Sequence, residues 1–225
     1  LNTFKSMPKA EETGSRILEA ALTLFREQGF DGTTMRDIAR RAQVATGAAY
    51  YYYPSKEALV MDFYRRSSAA METEIAAALA GVDGLEERLR TLIQVKLDHF
   101  RPNRGILRAL LRGGADPQHP LSPFSSETAG IRAADIAWFA CILDDCGTKI
   151  PDDLAADLPG VLWFLQMGVI FYWVVDESPG QARTARLLAL AARSAAGLVR
   201  LAGLPLMRPL RRTALDLIGL VKAPW

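Results

Sequence analysis

Residues 33–56, TTMRDIARRAQVATGAAYYYYPSK, gather the side chains best suited to contact a polyanion. Arg36, Arg40, Arg41 and Lys56 bring positive charge, Thr46, Gly47 and Ala48 are small, and Tyr50 to Tyr53 are aromatic with hydroxyls. That chemistry is recognition. A guanidinium can make two hydrogen bonds to a guanine edge. Small residues at the start of a helix let its backbone approach a major groove. Tyrosine hydroxyls and flat faces suit phosphates and thymine methyls. Lys56 falls in the first turn of a helix, beside backbone N–H groups that lack partners, which is a natural phosphate site. Catalytic patterns are missing: there is no phosphate-cradling Gly-rich loop, no Gly-x-Ser-x-Gly elbow and no His-Glu-x-x-His. His99 and His119 supply acid–base chemistry poorly and read as helix-end and loop residues. Neither an enzyme nor a cofactor is expected.

These side chains need short helices held at fixed angles. Thr34 with Asp37 three residues on is a capping box, and Met35, Ile38 and Ala39 give the helix that follows one apolar face. Arg36, Arg40 and Arg41 point elsewhere. Ala42, Gln43 and Val44 form a tight turn with Val44 as its buried anchor, and a second helix runs from about Ala45 to Tyr52. Tyr53 turns inward as a plug, and Ser55 caps the next helix. Upstream, a helix from about Thr13 to Gln28 has Ile17, Leu18, Ala21, Leu22 and Phe25 on its core face and ends at Gly29. Ala20 and Phe30 pack under the two short helices. The pattern predicts a three-helix helix-turn-helix.

The stretch resembles the DNA-binding domain of the TetR family of bacterial transcription regulators. Arg16-Ile17-Leu18-Glu19-Ala20-Ala21, Leu24-Phe25, Gly29-Phe30, Thr33-Thr34, Ile38-Ala39, Val44, Gly47, Tyr50, Tyr53, Lys56 and Leu59 carry the likeness, over about a quarter of the chain. Ala48-Ala49 departs from it, since the family often has a longer side chain or hydroxyl followed by Leu. The resemblance implies phosphate contacts from Thr34, Tyr51 and Lys56, and base or near-base contacts from Arg36, Thr46, Gly47, Ala48 and Tyr50. It further implies a homodimer on double-stranded DNA with a palindromic operator, and a C-terminal helical domain for dimerisation and effector binding. A repressor released by a small, largely apolar or aromatic effector is expected. An activator and an effector-independent regulator stay open as alternatives.

The rest of the chain agrees with an all-α fold divided into an N-terminal arm (1–12), the helix-turn-helix domain (13–60) and an effector and dimerisation domain (61–225). A long helix from about Ser55 to Ala80, marked by Leu59, Phe63 and Ala70, links the two domains. Helices follow over Leu85 to Phe100, from Pro102 to Gly113-Gly114, Ser125 to Asp145, from Asp152 through Val175 with Pro159 kinking or delaying its start, Gln181 to Ala202, and beyond Pro205 or Pro209.

The helix around Trp163 to Trp173 is apolar all round and must be covered on every side. Its row Val161, Leu165, Gly168, Tyr172 and Val175 suits a two-fold interface shared with the Leu/Ala face of Gln181–Ala202. Its row Trp163, Gln166, Met167, Ile170 and Val174 suits an internal cavity with Phe100, Trp138 and Phe139, although such stripes are core at least as often as ligand boxes.

The net charge of +2 is too small to indicate nucleic acid by itself. Its distribution says more: +2 over residues 1–66, −8 over 113–177 and +7 over 178–225. The acidic middle should repel DNA. Cys141 and Cys146, five positions apart on one helix, face different ways and read as two small buried thiols, with neither disulfide nor metal expected. Residues 1–6 lack the apolar core of a secretory signal, and the run Val161 to Val175 falls short of the ~20 residues of a membrane span, so a cytoplasmic protein is expected. One rival reading is a membrane-surface protein using Leu198 to Leu210 among Arg200, Arg208, Arg211 and Arg212, against a C-terminal helix simply packed on its domain.

Overall fold

The computed structural model of the chain describes residues 9–111 and 116–222. Residues 1–8 of the expected arm, and the expected helix stop at Gly113-Gly114, lie outside the described residues. Helices and their connections make up everything described. The chain forms two compact units. One comprises the chain up to Ala69 with Phe100–Ile131; the other comprises Ala70–His99 with the chain from Arg132 onward.

In the first unit, α1 (Lys9–Gln28) begins a turn earlier than Thr13, with Glu11 and Glu12 in its first turn, where negative charge favours a helix start. Gly29, at φ +81°, ends it in a conformation that favours glycine. α2 (Met35–Arg41) opens with the expected capping box: the Asp37 N–H donates to Thr34 Oγ1 at 3.2 Å and the Thr34 N–H donates to Asp37 Oδ2 at 3.2 Å. The turn before α3 (Thr46–Tyr52) differs from expectation. Ala42 is its buried anchor and Val44 is half-buried: the Ala42 N–H still donates to the Ile38 carbonyl at 2.8 Å, which keeps Ala42 on the face of buried Ile38, and Gln43, at a left-handed φ of 54°, turns the chain after it. Ile17, Ala21, Phe25, Ile38, Ala39, Ala49 and Leu59 build the core beneath these helices. α6 (Arg104–Leu111), entered through a 3-10 turn at Arg101–Asn103, adds Ile106 and Leu110 to it.

α4 (Lys56–Leu79) runs without a break through the junction of the units at Ala69 and Ala70. Leu59 and Phe63 are buried as expected, but Ala70 is exposed, and Ser67, Met71, Ile75 and Leu79 form the buried stripe instead. α7 (Ala129–Asp145) starts four residues later than Ser125. Ser125 Oγ donates to the Ser122 carbonyl at 3.0 Å and Thr128 Oγ1 does so at 2.7 Å, side-chain bonds that compete with helical ones.

The second unit is built on α5 (Leu85–Phe100, up to His99), most of α7, α9 (Leu158–Val175) and α10 (Ala182–Ala202), with a short α8 (Asp152–Ala155) and a terminal α11 (Arg208–Lys222). The helix expected from Asp152 is interrupted after Ala155 and α9 starts only at Leu158, the delay expected of Pro159, which lies in the first turn where a missing N–H costs nothing. α9 packs on α10, whose Leu188, Ala192, Ala196 and Val199 recur at helical spacing and are buried. Asp176 fastens the two helices, accepting from the Thr184 N–H at 2.9 Å and from Thr184 Oγ1 at 2.6 Å. By length and composition alone α9 could cross a membrane, yet Leu162, Trp163, Gln166, Val169 and Trp173 are buried inside the unit. Arg211 ties α11 down, bonding Asp153 at 2.9 Å and the Ala202 carbonyl at 2.7 Å. Cys141 is exposed and Cys146 half-buried, both as free thiols, because α7 turns the Cys141 side outward.

Candidate nucleic-acid interface

The three arginines of α2 have different fates. Arg40 bonds Asp37 at 2.7 Å, and Arg41 makes a two-pronged pair with Glu27, 2.9 Å at each prong. Arg36 is exposed and, among the described residues, has neither a hydrogen-bond nor an ion-pair partner. Its fork of donors is therefore open to a base edge or a phosphate.

On α3, Thr46 and Gly47 are exposed and Ala48 is half-buried. Tyr50 is 51% exposed and Tyr51 85%, the latter standing edge-on to Tyr52 with ring centroids 5.5 Å apart. A Cβ at Gly47 would meet nothing within 4 Å, and the residue is in ordinary helical conformation. Neither packing nor backbone geometry within the chain requires a glycine there, although it weakens the helix by about 1 kcal/mol relative to alanine. A surface that must be approached closely from outside would require it. Tyr53 is the plug expected: it is buried, and its hydroxyl donates to Asp62 Oδ2 at 2.8 Å and lies 3.3 Å from the Gly14 carbonyl. Burial, then the Asp62 carboxylate, push that hydroxyl's pKa up to about 12.

Two of the expected phosphate ligands are partly engaged within the protein. The Lys56 ammonium donates to the Phe30 carbonyl at 2.6 Å and lies 4.4 Å from the centre of the Phe30 ring, which leaves further N–H groups for an anion. The Thr34 hydroxyl donates to Asp37 at 2.6 Å inside the capping box. Ser55 Oγ accepts from the Ala58 N–H at 3.2 Å, as expected of a cap.

The expected effector residues divide. Trp163, Gln166, Met167, Val174 and Phe139 are buried in the second unit and Ile170 is half-buried. Phe100 is a correction: it belongs to the first unit, with its ring centre 5.9 Å from that of Phe63, because α5 ends there and the chain turns into the α6 segment. Trp138 lines a cleft of about 220 Å³ with Ala76, Leu79, Arg88, Cys141 and Ile142, and none of the other expected effector residues lines it. Gln166 is the polar member of its row. It is joined by Lys96 and Asp135, which sequence reasoning missed. The signal was available: Lys96 lies seven residues after Leu89 and Asp135 seven before Ile142, both on otherwise apolar stripes. The expected interface row lies on the open side of α9, with Val161 and Tyr172 each 37% exposed, Val175 53%, Gly168 exposed and Leu165 half-buried. Leu190, Leu198 and Leu201 of α10 are exposed too.

A three-helix head with an open arginine and an outward-facing second short helix, followed by a helical domain, defines the helix-turn-helix class of regulators. The description of bacterial regulatory proteins of the tetR family matches residues 17–62, and that of the tetracyclin repressor-like C-terminal domain matches residues 88–216. The chain belongs to the TetR family, a family of DNA-binding transcriptional regulators and not of enzymes. A probable HTH-type transcriptional regulator of Bacillus subtilis, YttP, is 34% identical over 104 residues, 44% of this chain and 49% of that protein. The negative regulator of the biofilm operon icaADBC in Staphylococcus epidermidis, IcaR, is 40% identical over 52 residues, 23% of this chain and 26% of that one. The chain thus matches about half or less of the length of these relatives. In structure it is similar to FadR of Thermus thermophilus, a TetR-family transcriptional repressor in complex with lauroyl-CoA. That likeness has a TM-score of 0.61 and 26% identity, and covers 85% of this chain and 95% of that one.

Proposed function

We propose that the protein is a homodimeric, cytoplasmic repressor that reads a palindromic operator and leaves it when a small, largely apolar or aromatic effector binds. Residues 13–60 act as the reading head and the remainder as effector and dimerisation domain. The observation that carries the DNA reading is Arg36, the one α2 arginine with neither a hydrogen-bond nor an ion-pair partner among the described residues, together with an exposed Gly47 on α3. Arg36, Thr46, Gly47, Ala48 and Tyr50 contact bases or their edges, while Thr34, Tyr51 and Lys56 hold phosphates. The negative regulator IcaR and the repressor FadR favour repression, and the lauroyl-CoA on FadR favours an effector with an apolar part. The effector shifts the balance only by its differential affinity for the two states of the dimer.

The experiment is selection of bound duplexes from a random pool, with Arg36→Ala and Arg40→Ala alongside. The expected result is an enriched palindrome. Arg36→Ala should relax one symmetric position by about 1–3 kcal/mol of discrimination, whereas Arg40→Ala should leave the preference unchanged. Binding without any enriched sequence, lost evenly as salt rises, would refute the operator reading.

A further inference from the structure

Three donors in the second unit converge on one carboxylate. Trp163 Nε1 donates to Asp135 Oδ2 at 3.1 Å, Gln166 Nε2 donates to the same oxygen at 2.6 Å, and the Lys96 ammonium pairs with Asp135 Oδ1. Lys96 also donates to Gln166 Oε1 at 2.7 Å. An ammonium can only donate, so this bond fixes the amide with its NH₂ toward the carboxylate. The Phe139 ring lies beneath the ammonium, its centre 5.1 Å away. Lys96 and Gln166 are buried, 3% and 1% exposed, while the Asp135 side chain keeps 23% of its surface.

Such a cluster is a poor way to stabilise a core. A well-packed apolar set of the same volume usually serves as well or better, because the ions lose their hydration. Burial holds the Lys96 ammonium below the usual lysine range, with Asp135 opposing that shift. The exposures separate the members into roles. The cation, the amide and the indole are set on α5 and α9; the carboxylate, on α7, is the one member still in touch with open space. Asp135 is therefore the exchangeable part.

We propose that Lys96, Gln166 and Trp163 form a cradle for the carboxylate head of the effector, which Asp135 fills in the effector-free protein. This rests on the effector-responsive reading above and narrows its class to a monocarboxylic acid with an apolar or aromatic body. The head must be an anion, because a neutral group would leave a buried ammonium without a counter-charge. The body is apolar because Phe139 underlies the cradle and Met167 and Ile170 follow Gln166 on α9. Exchange of Asp135 for the incoming head frees α7 from α5 and α9, a local change of the kind that can bias a two-state dimer.

The test uses the full chain with Asp135→Ala and the double variant Lys96→Met/Asp135→Leu. Asp135→Ala leaves Lys96 unpaired and should lower Tm by on the order of 10 °C. Tens of millimolar acetate should recover several degrees of it by occupying the cradle, while acetamide or chloride at equal concentration should not. Octanoate or benzoate should raise the Tm of the wild type and release it from its selected operator; octanamide and benzamide should do neither. The double variant, free of buried charge, should fold, bind the operator and ignore the acids. Rescue by acetamide or chloride as good as by acetate, a folded Asp135→Ala blind to acetate, or a double variant that still answers to acids would each overturn the cradle. Operator release of the wild type by the amides but not the acids would overturn the cradle alone. Release by no compound, with acetate rescue intact, would overturn the effector reading and leave the cradle as an anion site.

Discussion

The Lys56 ammonium donates to the Phe30 carbonyl at 2.6 Å and rests over the ring of the same residue, 4.4 Å from its centre. Phe30 follows the end of α1 and Lys56 opens α4, so this contact brackets the two short helices between them. It gives Lys56 a structural role beside the phosphate contact proposed for it. Lys56→Met keeps the aliphatic stem but loses the charge-assisted bond and the cation–π contact, and should cost about 1–2 kcal/mol in urea unfolding. It should also lower the slope of log K against log salt for operator binding by about 2, one contact from each head of the dimer. Lost stability with an unchanged salt slope would show that Lys56 never reaches a phosphate.

Gly47 yields a prediction of opposite signs. A methyl group there meets nothing within 4 Å in the protein, and alanine is the better helix former. Gly47→Ala should therefore stabilise the free protein by up to about 1 kcal/mol. If the backbone of α3 closes on a groove, the same methyl should weaken operator binding several-fold. Calorimetric melting and a binding titration read the two effects separately. A more stable variant that binds as well as the wild type would remove Gly47 from the interface.

The reading head was legible because its signals are local. The capping box at Thr34 and the helical spacing of the apolar trio Met35, Ile38 and Ala39 depend on neighbours within a few residues. Where position along the chain had to stand in for tertiary structure, it did less well. Ala70 looked apolar, yet it faces solvent because Met71 and Ile75 take the stripe. Phe100 ends a helix of the second unit and packs in the first. Lys96 and Asp135 were passed over, although their spacing places them among leucines and isoleucines. A buried ion pair becomes visible only when the partner, 39 residues away, is seen beside it. The late start of α7 was hidden because Ser and Thr side chains can serve either a helix or the turn that delays it.

Tyr53 sets an alkaline limit on the stability of the head. Its hydroxyl, buried and bonded to the Asp62 carboxylate at 2.8 Å, has its pKa pushed up to about 12 against an ordinary value near 10. Between those values the unfolded chain has lost the tyrosine proton and the folded chain retains it, so raising the pH draws the equilibrium toward unfolding. The contribution is complete below pH 10 and lost as pH rises through 12. Tyr53→Phe should cost about 1–2 kcal/mol at neutral pH, at the low end because Arg65 and Arg66 still hold Asp62. The variant should then lose less stability than the wild type between pH 10 and 12. Half-buried Tyr64, also shifted upward, acts in both proteins and cancels from the difference. Parallel alkaline slopes would place the hydroxyl in solvent.

The open face of α9 and α10 makes the oligomeric state testable with little risk to the fold. Tyr172 and Val175 on α9, and Leu190, Leu198 and Leu201 on α10, remain exposed in the single chain, and Gly168 adds no side chain to the surface between the α9 positions. Leu198 is 63% exposed, so Leu198→Glu should change the stability of the isolated chain by no more than about 0.5 kcal/mol. In a two-fold contact the same change buries a charge, and its twin, without partners. Sedimentation at micromolar concentration should give twice the 24.7 kDa of the chain for the wild type and a single chain for the variant. Gly168→Leu, which adds bulk without charge, should weaken the dimer through close approach alone. Both variants should retain their helical content yet lose most affinity for a palindrome, because two heads no longer bind as one. A monomeric wild type, or a dimer untouched by both changes, would move the interface off this face.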